Sequence, residues 1–175
     1  MIESKLKKLI KDIPDFPKPG IVFKDITPIL LEPEIFEEII DAFVSKLNRT
    51  VDVVCAVESR GFFFGPLLAQ RLNVPFVPIR KKGKLPGDTI SYSYDLEYGS
   101  ATIEIHKGVI KPGQNVLIHD DLIATGGTVK AAIELVRQQK ANVSAATFLV
   151  SLEFLNGVND LRSSIDEVIA LAQYE

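Results

Sequence analysis

Apolar residues along the chain alternate between helical spacing and short continuous runs. Between Ile35 and Leu47 they recur every three or four positions, which predicts an amphipathic helix that begins at Pro33 and ends near Asn48. The run VVCAV at 53–57 follows directly; it is rich in β-branched residues and too short for a helix, as expected of a strand buried on both faces. A helix therefore leads straight into a buried strand.

The same alternation continues through the rest of the chain. Helices are predicted at 61–72 and 129–139, and strands at 76–79, 102–106, 116–118 and 143–152. Strands separated by amphipathic helices indicate an α/β fold, with a mainly parallel open sheet and helices on both of its faces. A chain of 175 residues is expected to form a single domain, 1–175.

Two segments depart from the alternation. Apolar residues from Ile2 to Ile13 predict a short helix, and the Pro- and Gly-rich stretch that follows predicts a rigid loop within an N-terminal segment, 1–33. The stretch 81–100 contains three glycines, one proline and many polar residues. A long insertion of this kind in a compact domain is usually functional, so we expect a flexible lid there.

Composition and charge exclude several classes of function. Hydrophobic residues make up 46% of the chain and the net charge is −3, so the protein can bury a large core but has no overall positive field for nucleic acid or anionic lipid. One cysteine rules out an internal disulfide framework, and the charged N-terminus does not resemble a signal peptide. We expect a cytoplasmic protein without nucleic-acid or membrane partners.

The stretch VLIHDDLIATGGT, 116–128, carries the most chemical information. Gly126 and Gly127 stand where a predicted strand leads into a predicted helix, and paired glycines there allow successive N–H groups to converge on an anion. Thr125 and Thr128 add hydroxyl donors, and the helix N-terminus adds positive partial charge. A phosphate monoester therefore fits this loop, although an ordinary strand-to-helix turn would explain the glycine pair alone.

Two acidic residues narrow the choice of phosphate ligand. The sequence has no Walker A match, which disfavours a triphosphate. Asp120 and Asp121, just before the loop, suit the vicinal hydroxyls of a ribose or a Mg²⁺ ion. The pattern therefore favours a sugar phosphate. His119 has no partner at ligand spacing, so we expect it to pack in the interior, and one cysteine with two histidines disfavours a zinc site.

The stretch 116–128 also resembles the phosphoribosyl diphosphate signature of the type I phosphoribosyltransferases. Four further motifs occur in that family's order: FPKPGIVFKDITP at 16–28, ESRGF at 58–62, IRKKGKLPG at 79–87 and LEYG at 96–99. Together they cover nearly the whole chain and are most similar to the members that act on adenine. The resemblance implies the type I phosphoribosyltransferase fold, with 1–33 as an adenine-recognising hood and 81–100 as the lid.

The resemblance also implies a reaction. The 5-phosphoribosyl group of 5-phospho-α-D-ribose 1-diphosphate would pass to N9 of adenine, giving AMP and diphosphate in purine salvage. A homodimer is implied, with some of the loop cations acting across the dimer interface. Mg²⁺ would be the cofactor, bound through the substrate and bridged by water to Asp120 and Asp121 rather than held by the protein alone.

Each part of the substrate is matched by resemblance to residues of this chain. Ribose and the 5′-phosphate are assigned to Asp120, Asp121, Ala124, Thr125, Gly126, Gly127 and Thr128. Diphosphate is assigned to Ser59, Arg60, Arg80, Lys81 and Lys84, with a cis peptide before Ser59. Adenine is assigned to Val22, Phe23, Lys24 and Leu152. The catalytic residues are Glu97 as the acid-base group near adenine N7, Tyr98 in the lid, and Arg60.

Three other functions stay open from the sequence. A sibling enzyme could use xanthine, hypoxanthine or orotate, although the FPKPGIVFKD hood argues against it. A non-catalytic regulator could sense the sugar diphosphate on the same fold, but the chain offers neither an extra domain nor a basic patch for DNA. A phospho-aspartate receiver is weaker still, because its acids would lie too late in the chain and the glycine pair would have no role.

Overall fold

The structure is a computed structural model that describes residues 1–95 and 99–175. Its helices are α1 (Ile2–Leu9), α2 (Pro33–Lys46), α3 (Gly65–Leu72), α4 (Gly127–Gln138) and α5 (Gly157–Arg162). Its strands are β1 (Lys11–Pro14), β2 (Val22–Asp25), β3 (Val53–Val57), β4 (Phe76–Lys81), β5 (Thr89–Asp95), β6 (Ser100–His106), β7 (Asn115–Ile123), β8 (Asn142–Leu152) and β9 (Val168–Tyr174). Short 3-10 helices cover Thr27–Leu31, Arg60–Phe63 and Glu153–Leu155.

Seven of the described strands form one sheet, in the order β5-β6-β4-β3-β7-β8-β9. From β4 across β3, β7 and β8 to β9, every neighbouring pair is parallel. Only β6, against β4 and β5, pairs antiparallel within this described sheet. The predicted α/β fold with a mainly parallel sheet is confirmed.

The central strand shows how the sheet is covered. All residues of β3 are buried, and its side chains reach two apolar clusters. Val53 and Cys55 pack into the cluster that contains the buried side of α4, whereas Val54 packs with the apolar sides of α1, α2 and α3. Because successive side chains of a strand point to opposite faces, helices cover both faces of the sheet, as predicted.

Most predicted elements are present, with longer strands than expected. Helix α2 begins at Pro33, where a missing backbone N–H costs nothing, and ends at Lys46. The strands predicted at 76–79 and 116–118 cover only the apolar parts of β4 and β7, which extend further into polar residues. Strands β2 and β9 and helix α5 were not predicted from the sequence pattern. Within the described residues, no helix has the length and apolar character needed to cross a membrane.

The N-terminal segment corrects one expectation. The predicted helix was to reach Ile13, but α1 ends at Leu9 and Ile10 is extended. Residues 11–14 instead form β1, which pairs antiparallel with β2. The apolar spacing continues into a strand because Pro14 disfavours a helical conformation at Ile13, and pairing with β2 supplies the backbone partners.

The stretch 81–100 corrects a second expectation. It was predicted as a long loop, yet Thr89–Asp95 forms β5, which pairs with β6 from Thr89 opposite His106 to Asp95 opposite Ser100. TISYSYD alternates polar and partly buried positions, which is the pattern of an edge strand with one covered face. Motion of this hairpin as a lid stays a prediction.

The topology fixes where a ligand can bind. The chain moves from β3 to β4 on one side of the sheet and later to β7 on the other side, so β3 lies at the point where the strand order reverses. In open α/β sheets a crevice forms at such a point, outside the carboxyl ends of the strands. The segments that follow β3, β4 and β7 therefore meet at one edge.

Candidate active site

A cavity of about 710 Å³ lies at the carboxyl ends of β3, β4 and β7. Ser59 and Arg60 follow β3, Arg80 and Lys81 end β4, and Asp120 lies in β7; all of them line the cavity. The structure thus brings together residues from three distant parts of the sequence that were assigned to diphosphate and ribose. The peptide between Glu58 and Ser59 is cis, as the resemblance implies.

A second cavity, of about 440 Å³, lies over the predicted phosphate loop. Every residue from Ala124 to Thr128 lines it. Asp120, Leu122 and Thr128 line both cavities, so the two spaces adjoin. A ligand with two separated charged groups could therefore occupy both at once.

The loop presents backbone donors to this second cavity. Gly126 has φ of 80°, a left-handed conformation that favours glycine, and α4 begins at the next residue. In the described structure, no side chain caps this helix N-terminus. Its first N–H groups have no intrahelical acceptors and carry positive partial charge. An anion such as a phosphate would satisfy them.

Gly157, the first residue of α5, supports the same loop from behind. A Cβ at this position would lie 2.2 Å from the carbonyl oxygen of Ala124 and 3.0 Å from the backbone N of Gly126. A side chain cannot approach a backbone so closely, so α5 can pack against the loop only through a glycine. The sequence around position 157 gave no sign of this contact.

The two acids lie side by side at the junction of the cavities. Asp120 is half-buried and Asp121 is almost fully buried, and the Asp121 N–H donates to Asp120 Oδ1 at 2.9 Å. Burial and the neighbouring charge raise the pKa of Asp120 well above its ordinary range; burial also raises the pKa of Asp121, against the opposing effect of Arg60. Hydroxyl donors or a cation entering the cavity would stabilise the ionised pair.

Arg60 connects the acids to the N-terminal segment. Its Nε lies 3.0 Å from Asp121 Oδ2, and its guanidinium carbon lies 4.8 Å from the centre of the Phe23 ring. A planar guanidinium suits both contacts, since it can pair with a carboxylate at its edge and stack on an aromatic face. The structure therefore places predicted residues for diphosphate, ribose and adenine in one continuous group.

The basic side of the cavity is organised by a second carboxylate. Arg80 donates from Nε and Nη2 to the two carboxylate oxygens of Glu58, at 3.0 and 3.1 Å. The Lys81 N–H also donates to Glu58, at 3.2 Å. The hydrogen bond from Arg80 is the main cause that lowers the pKa of Glu58. Glu58 therefore fixes the direction of the Arg80 guanidinium at the cavity.

Lys84 is placed differently from the other predicted cations. Among the described residues, Lys82 lines the cavity at the carboxyl ends of β3, β4 and β7, and Lys84 does not. The backbone of Lys84 is tied down instead: its N–H donates to Glu104 at 3.1 Å, and its carbonyl accepts from Arg80 Nη1 at 2.9 Å. The assignment of Lys84 to diphosphate stays a prediction that needs movement of this loop.

The predicted adenine residues lie on the hood side of Arg60. Phe23 makes an edge contact with Phe16, with ring centres 5.1 Å apart. Lys24 Nζ lies 4.1 Å from the centre of the Tyr174 ring, and Tyr174 pairs in register with Leu152. Tyr174 thus connects two of the predicted adenine residues.

Val22 lies beside them in β2 and is half exposed. None of these adenine residues lines either of the two described cavities. Glu97 and Tyr98 lie outside the described residues, and their assigned roles stay predictions. The neighbouring residues Asp95 and Ala101 do line the cavities.

His119 confirms the expectation of a packed interior side chain. It is fully buried, its Nδ1 lies 3.0 Å from Thr147 Oγ1, and its ring packs against Phe43. Burial lowers the pKa of His119 to about 3, so the ring is neutral. Its Nε2 has no hydrogen-bond partner among residues 1–95 and 99–175.

The described carboxylates suit a metal that is bound mainly by substrate. In the parts of the chain that the structure describes, no group of three or more His, Cys, Asp and Glu side chains is placed to hold a metal ion. Asp120 and Asp121 nevertheless lie together at the cavity, and Mg²⁺ commonly uses one or two carboxylates together with substrate phosphates and water. The residues present therefore fit Mg²⁺ held in that way.

Some residues that shape the site were not predicted from the sequence. Lys18 lies within a quoted motif but was given no role, and it lines the phosphate-loop cavity. Tyr94 lines the larger cavity and could have been found from the alternation in β5. Glu104 is buried although charged, because its carboxylate accepts N–H groups from the loop after β4.

Comparisons with known proteins agree with this geometry. A family model described as a phosphoribosyl transferase domain matches residues 29–163. The adenine phosphoribosyltransferase of Mycoplasma mobile is 51% identical over 171 residues, which cover 98% of each chain.

Solved structures give the same result. The adenine phosphoribosyltransferase of Thermoanaerobacter pseudethanolicus superposes with a TM-score of 0.94 at 46% identity, covering 99% of this chain and 100% of that one. The Saccharomyces cerevisiae enzyme, solved with an imino-altritol bisphosphate and adenine, gives 0.89 at 44% identity, covering 97% and 98%. The resemblance seen in the motifs is confirmed: the chain belongs to the adenine phosphoribosyltransferase family of phosphoribosyl transferases.

Proposed function

We propose that the protein transfers the 5-phosphoribosyl group of 5-phospho-α-D-ribose 1-diphosphate to N9 of adenine, giving AMP and diphosphate in purine salvage. One observation carries this proposal. A cavity over an uncapped helix N-terminus adjoins a cavity lined by arginine and lysine, and Asp120 lies at the junction. This arrangement suits a sugar with a phosphate at one end and a diphosphate at the other.

The sugar and its 5′-phosphate occupy the loop side. The N–H groups at the start of α4 and the hydroxyls of Thr125 and Thr128 hold the phosphate. Asp120 and Asp121 accept hydrogen bonds from the two ribose hydroxyls. Because these donors and acceptors stand on a strand end and a helix start, the anomeric carbon is held at a fixed distance from the basic side.

The diphosphate occupies the basic side. Arg60, Arg80 and Lys81 balance the negative charge that grows on diphosphate as its bond to the anomeric carbon breaks. Ser59 contributes a hydroxyl donor at the end of β3. Mg²⁺ would be held mainly by the substrate's phosphates, with Asp120 and Asp121 as its protein partners through water, and would supply further charge stabilisation for the leaving group.

Adenine is read by the hood. In an extended segment such as β2, a backbone N–H and C=O of Val22–Lys24 can recognise the N1 acceptor and the N6 amino donor together, and a 6-oxopurine presents the opposite polarity. Phe23 stacks on the base and Leu152 flanks its other face. Glu97 takes up the proton that adenine loses near N7 as N9 bonds to the anomeric carbon, and Tyr98 shapes the lid; both roles are proposed from the family resemblance.

The setting of the reaction is also proposed from resemblance and composition. The protein acts as a cytoplasmic homodimer, with adenine, phosphoribosyl diphosphate, AMP and diphosphate as its small-molecule partners. The net charge of −3 supports neither nucleic acid nor membrane as a partner.

A base-competition assay tests this function. Adenine, hypoxanthine, guanine and xanthine are each incubated with phosphoribosyl diphosphate and the protein, with Mg²⁺ and with EDTA. We expect AMP from adenine, at least about 10⁴-fold preference over the oxopurines, and loss of turnover in EDTA. Conversion of guanine but not adenine would contradict the base assignment. Binding of phosphoribosyl diphosphate without conversion of any base would favour the regulator.

A further inference from the structure

Tyr94 joins the edge of the sheet to the phosphate loop. It lies in β5, opposite Ala101 of β6, and its hydroxyl is 3.0 Å from the Oγ1 of Thr128 in the first turn of α4. This hydrogen bond spans 34 positions of sequence and connects a strand that carries no assigned substrate contact to a residue assigned to the 5′-phosphate.

The position of the Tyr94 ring is fixed by packing, and this places its hydroxyl beside Thr128. It lies over Gly127, since a Cβ at Gly127 would stand 3.8 Å from Tyr94 Cδ2 and 4.0 Å from Cε2. Tyr94 also packs against the core cluster that includes Val129. The ring is partly buried on this surface, so the tyrosine hydroxyl reaches Thr128 from a fixed direction.

The two hydroxyls are placed to form a relay. A hydroxyl has one proton to donate and two lone pairs to accept with. Thr128 lines the phosphate-loop cavity, and Tyr94 does not. If Tyr94 donates to Thr128 Oγ1, the Thr128 proton is left to point into that cavity. Hydrogen bonds arranged in such a chain polarise and strengthen one another.

We propose that Tyr94 is a positioning residue for the 5′-phosphate: it donates to Thr128 and so directs the Thr128 hydroxyl proton toward a phosphate oxygen. The inference rests on the proposed function of the loop and adds a residue to it. Tyr94 does not touch the phosphate itself. Its effect therefore belongs to binding of the ribose phosphate and not to binding of adenine.

The matched pair Tyr94→Phe and Tyr92→Phe tests this role. Tyr92 lies two residues earlier on the same face of β5 and packs against the same core cluster, and within the described residues its hydroxyl has no hydrogen-bond partner. Each variant loses one hydroxyl and keeps its ring. We expect Tyr94→Phe to raise the Kd for ribose 5-phosphate, measured by calorimetry, and the KM for phosphoribosyl diphosphate by about 3- to 10-fold. We expect Tyr92→Phe to change neither by more than about 2-fold.

A double-mutant cycle shows whether Tyr94 acts through Thr128. In a Thr128→Val background, Tyr94→Phe should have no further effect on the Kd for ribose 5-phosphate, and the KM for adenine should stay at its wild-type value in Tyr94→Phe. Thermal unfolding checks that both tyrosine variants fold.

The outcomes separate this inference from the function on which it rests. Wild-type protein that neither binds ribose 5-phosphate nor forms AMP would overturn the proposed function and the inference together. Active wild type with an unchanged Tyr94→Phe, with an equal effect of Tyr92→Phe, or with a full effect of Tyr94→Phe in the Thr128→Val background would overturn the inference alone.

Discussion

The two halves of the candidate active site are built in different ways. The loop half, residues 124–128, is continuous in sequence and presents backbone N–H groups at a helix N-terminus. The basic half comes from the ends of β3 and β4 and presents side-chain cations that are already paired, Arg60 with Asp121 and Arg80 with Glu58. The loop half is preorganised, whereas the cations of the basic half must share their partners with an arriving anion.

This difference predicts two kinds of sensitivity. Backbone donors keep their direction whatever the salt concentration or pH, so the loop half should respond mainly to changes of shape. Paired side chains respond to charge, screening and protonation. Substitutions that alter shape should therefore affect mainly the loop half, and substitutions that alter charge should affect mainly the basic half. The largest effect is expected from a change of shape in the loop half.

Replacing Gly157 by Ala should break the loop half. At a helical first position alanine would ordinarily stabilise the protein, but here its Cβ would lie 2.2 Å from the Ala124 carbonyl oxygen, so the loop or α5 must move. Displacement of a binding loop by about 1 Å can cost about 100-fold. We expect kcat/KM for phosphoribosyl diphosphate to fall by about that factor, measured by initial rates, with a salt dependence like that of wild type.

Gly65→Ala is the matched control for this variant. Gly65 is the first residue of α3, and its Cβ would lie 2.5 Å from the Ala56 Cβ, a core contact away from the loop. This substitution should lower Tm while leaving the affinity for ribose 5-phosphate within about 2-fold of wild type. Equal losses of affinity in the two variants would mean that general destabilisation, and not the loop contact, explains Gly157→Ala.

Replacing Arg80 by Met should damage the basic half by charge. The variant loses a cation at the cavity and leaves Glu58, whose side chain is only 16% exposed, without its bidentate partner. We expect the KM for phosphoribosyl diphosphate to rise by about 10-fold and its dependence on salt to weaken. Steady-state rates at two KCl concentrations provide the measurement.

A second substitution separates binding from folding at this pair. In Arg80→Met/Glu58→Gln the unpaired charge is gone, while an amide can still accept the Lys81 N–H. Tm should recover toward the wild-type value, and KM should stay high because the cation is still absent. Recovery of KM together with Tm would show that Arg80 serves only the fold.

The basic half should also be the more sensitive to acid. The buried Glu104 carboxylate accepts N–H groups from Lys84 and Leu85 at 3.1 and 3.0 Å, and these backbone hydrogen bonds, with Leu85 first, lower its pKa below the ordinary 4.5. A lowered folded-state pKa stabilises the fold above the unfolded value and loses that effect as pH falls through the folded value. We expect Glu104→Gln to lower Tm by about 2–4 °C near neutral pH.

The dependence of Tm on pH tests the Glu104 prediction. Thermal unfolding of wild type and Glu104→Gln should differ above pH 4.5 and converge below it, once the wild-type carboxyl is protonated. A difference in Tm that persists unchanged into acid would mean that shape rather than charge holds the loop after β4.

The same contrast explains what the sequence could predict. The loop half was found because its glycines, hydroxyls and acids are neighbours in sequence, and the central parallel strands were found because burial on both faces leaves continuous apolar runs. The edge strand β5 was missed because half of its positions are polar and glycines and a proline lie close by.

Contacts between distant segments were beyond the sequence. Glu58 directly precedes the predicted site residue Ser59, yet its hydrogen bonds with Arg80 depend on β3 and β4 being parallel neighbours. Gly157 and Tyr94 act on the loop through packing that forms only when α5 and β5 are folded against α4. Candidate binding residues could thus be predicted from the sequence, whereas the residues that hold them in place became visible only in the folded structure.

The hood, like the basic half, is held in place by contacts between side chains. We expect substitutions there to have the smallest effect, on the KM for adenine. Lys24 is 11% exposed and is held by Asp12 at 2.6 Å and by the face of the Tyr174 ring at 4.1 Å. Tyr174→Leu removes the ring and should loosen β2, raising the KM for adenine by about 2- to 5-fold while the KM for phosphoribosyl diphosphate stays unchanged.

Tyr174→Phe is the control, because the buried hydroxyl has no partner among the described residues and the ring is kept. Steady-state titration of each substrate gives both constants. If Tyr174→Phe were as impaired as Tyr174→Leu, the hydroxyl and not the ring would anchor the hood.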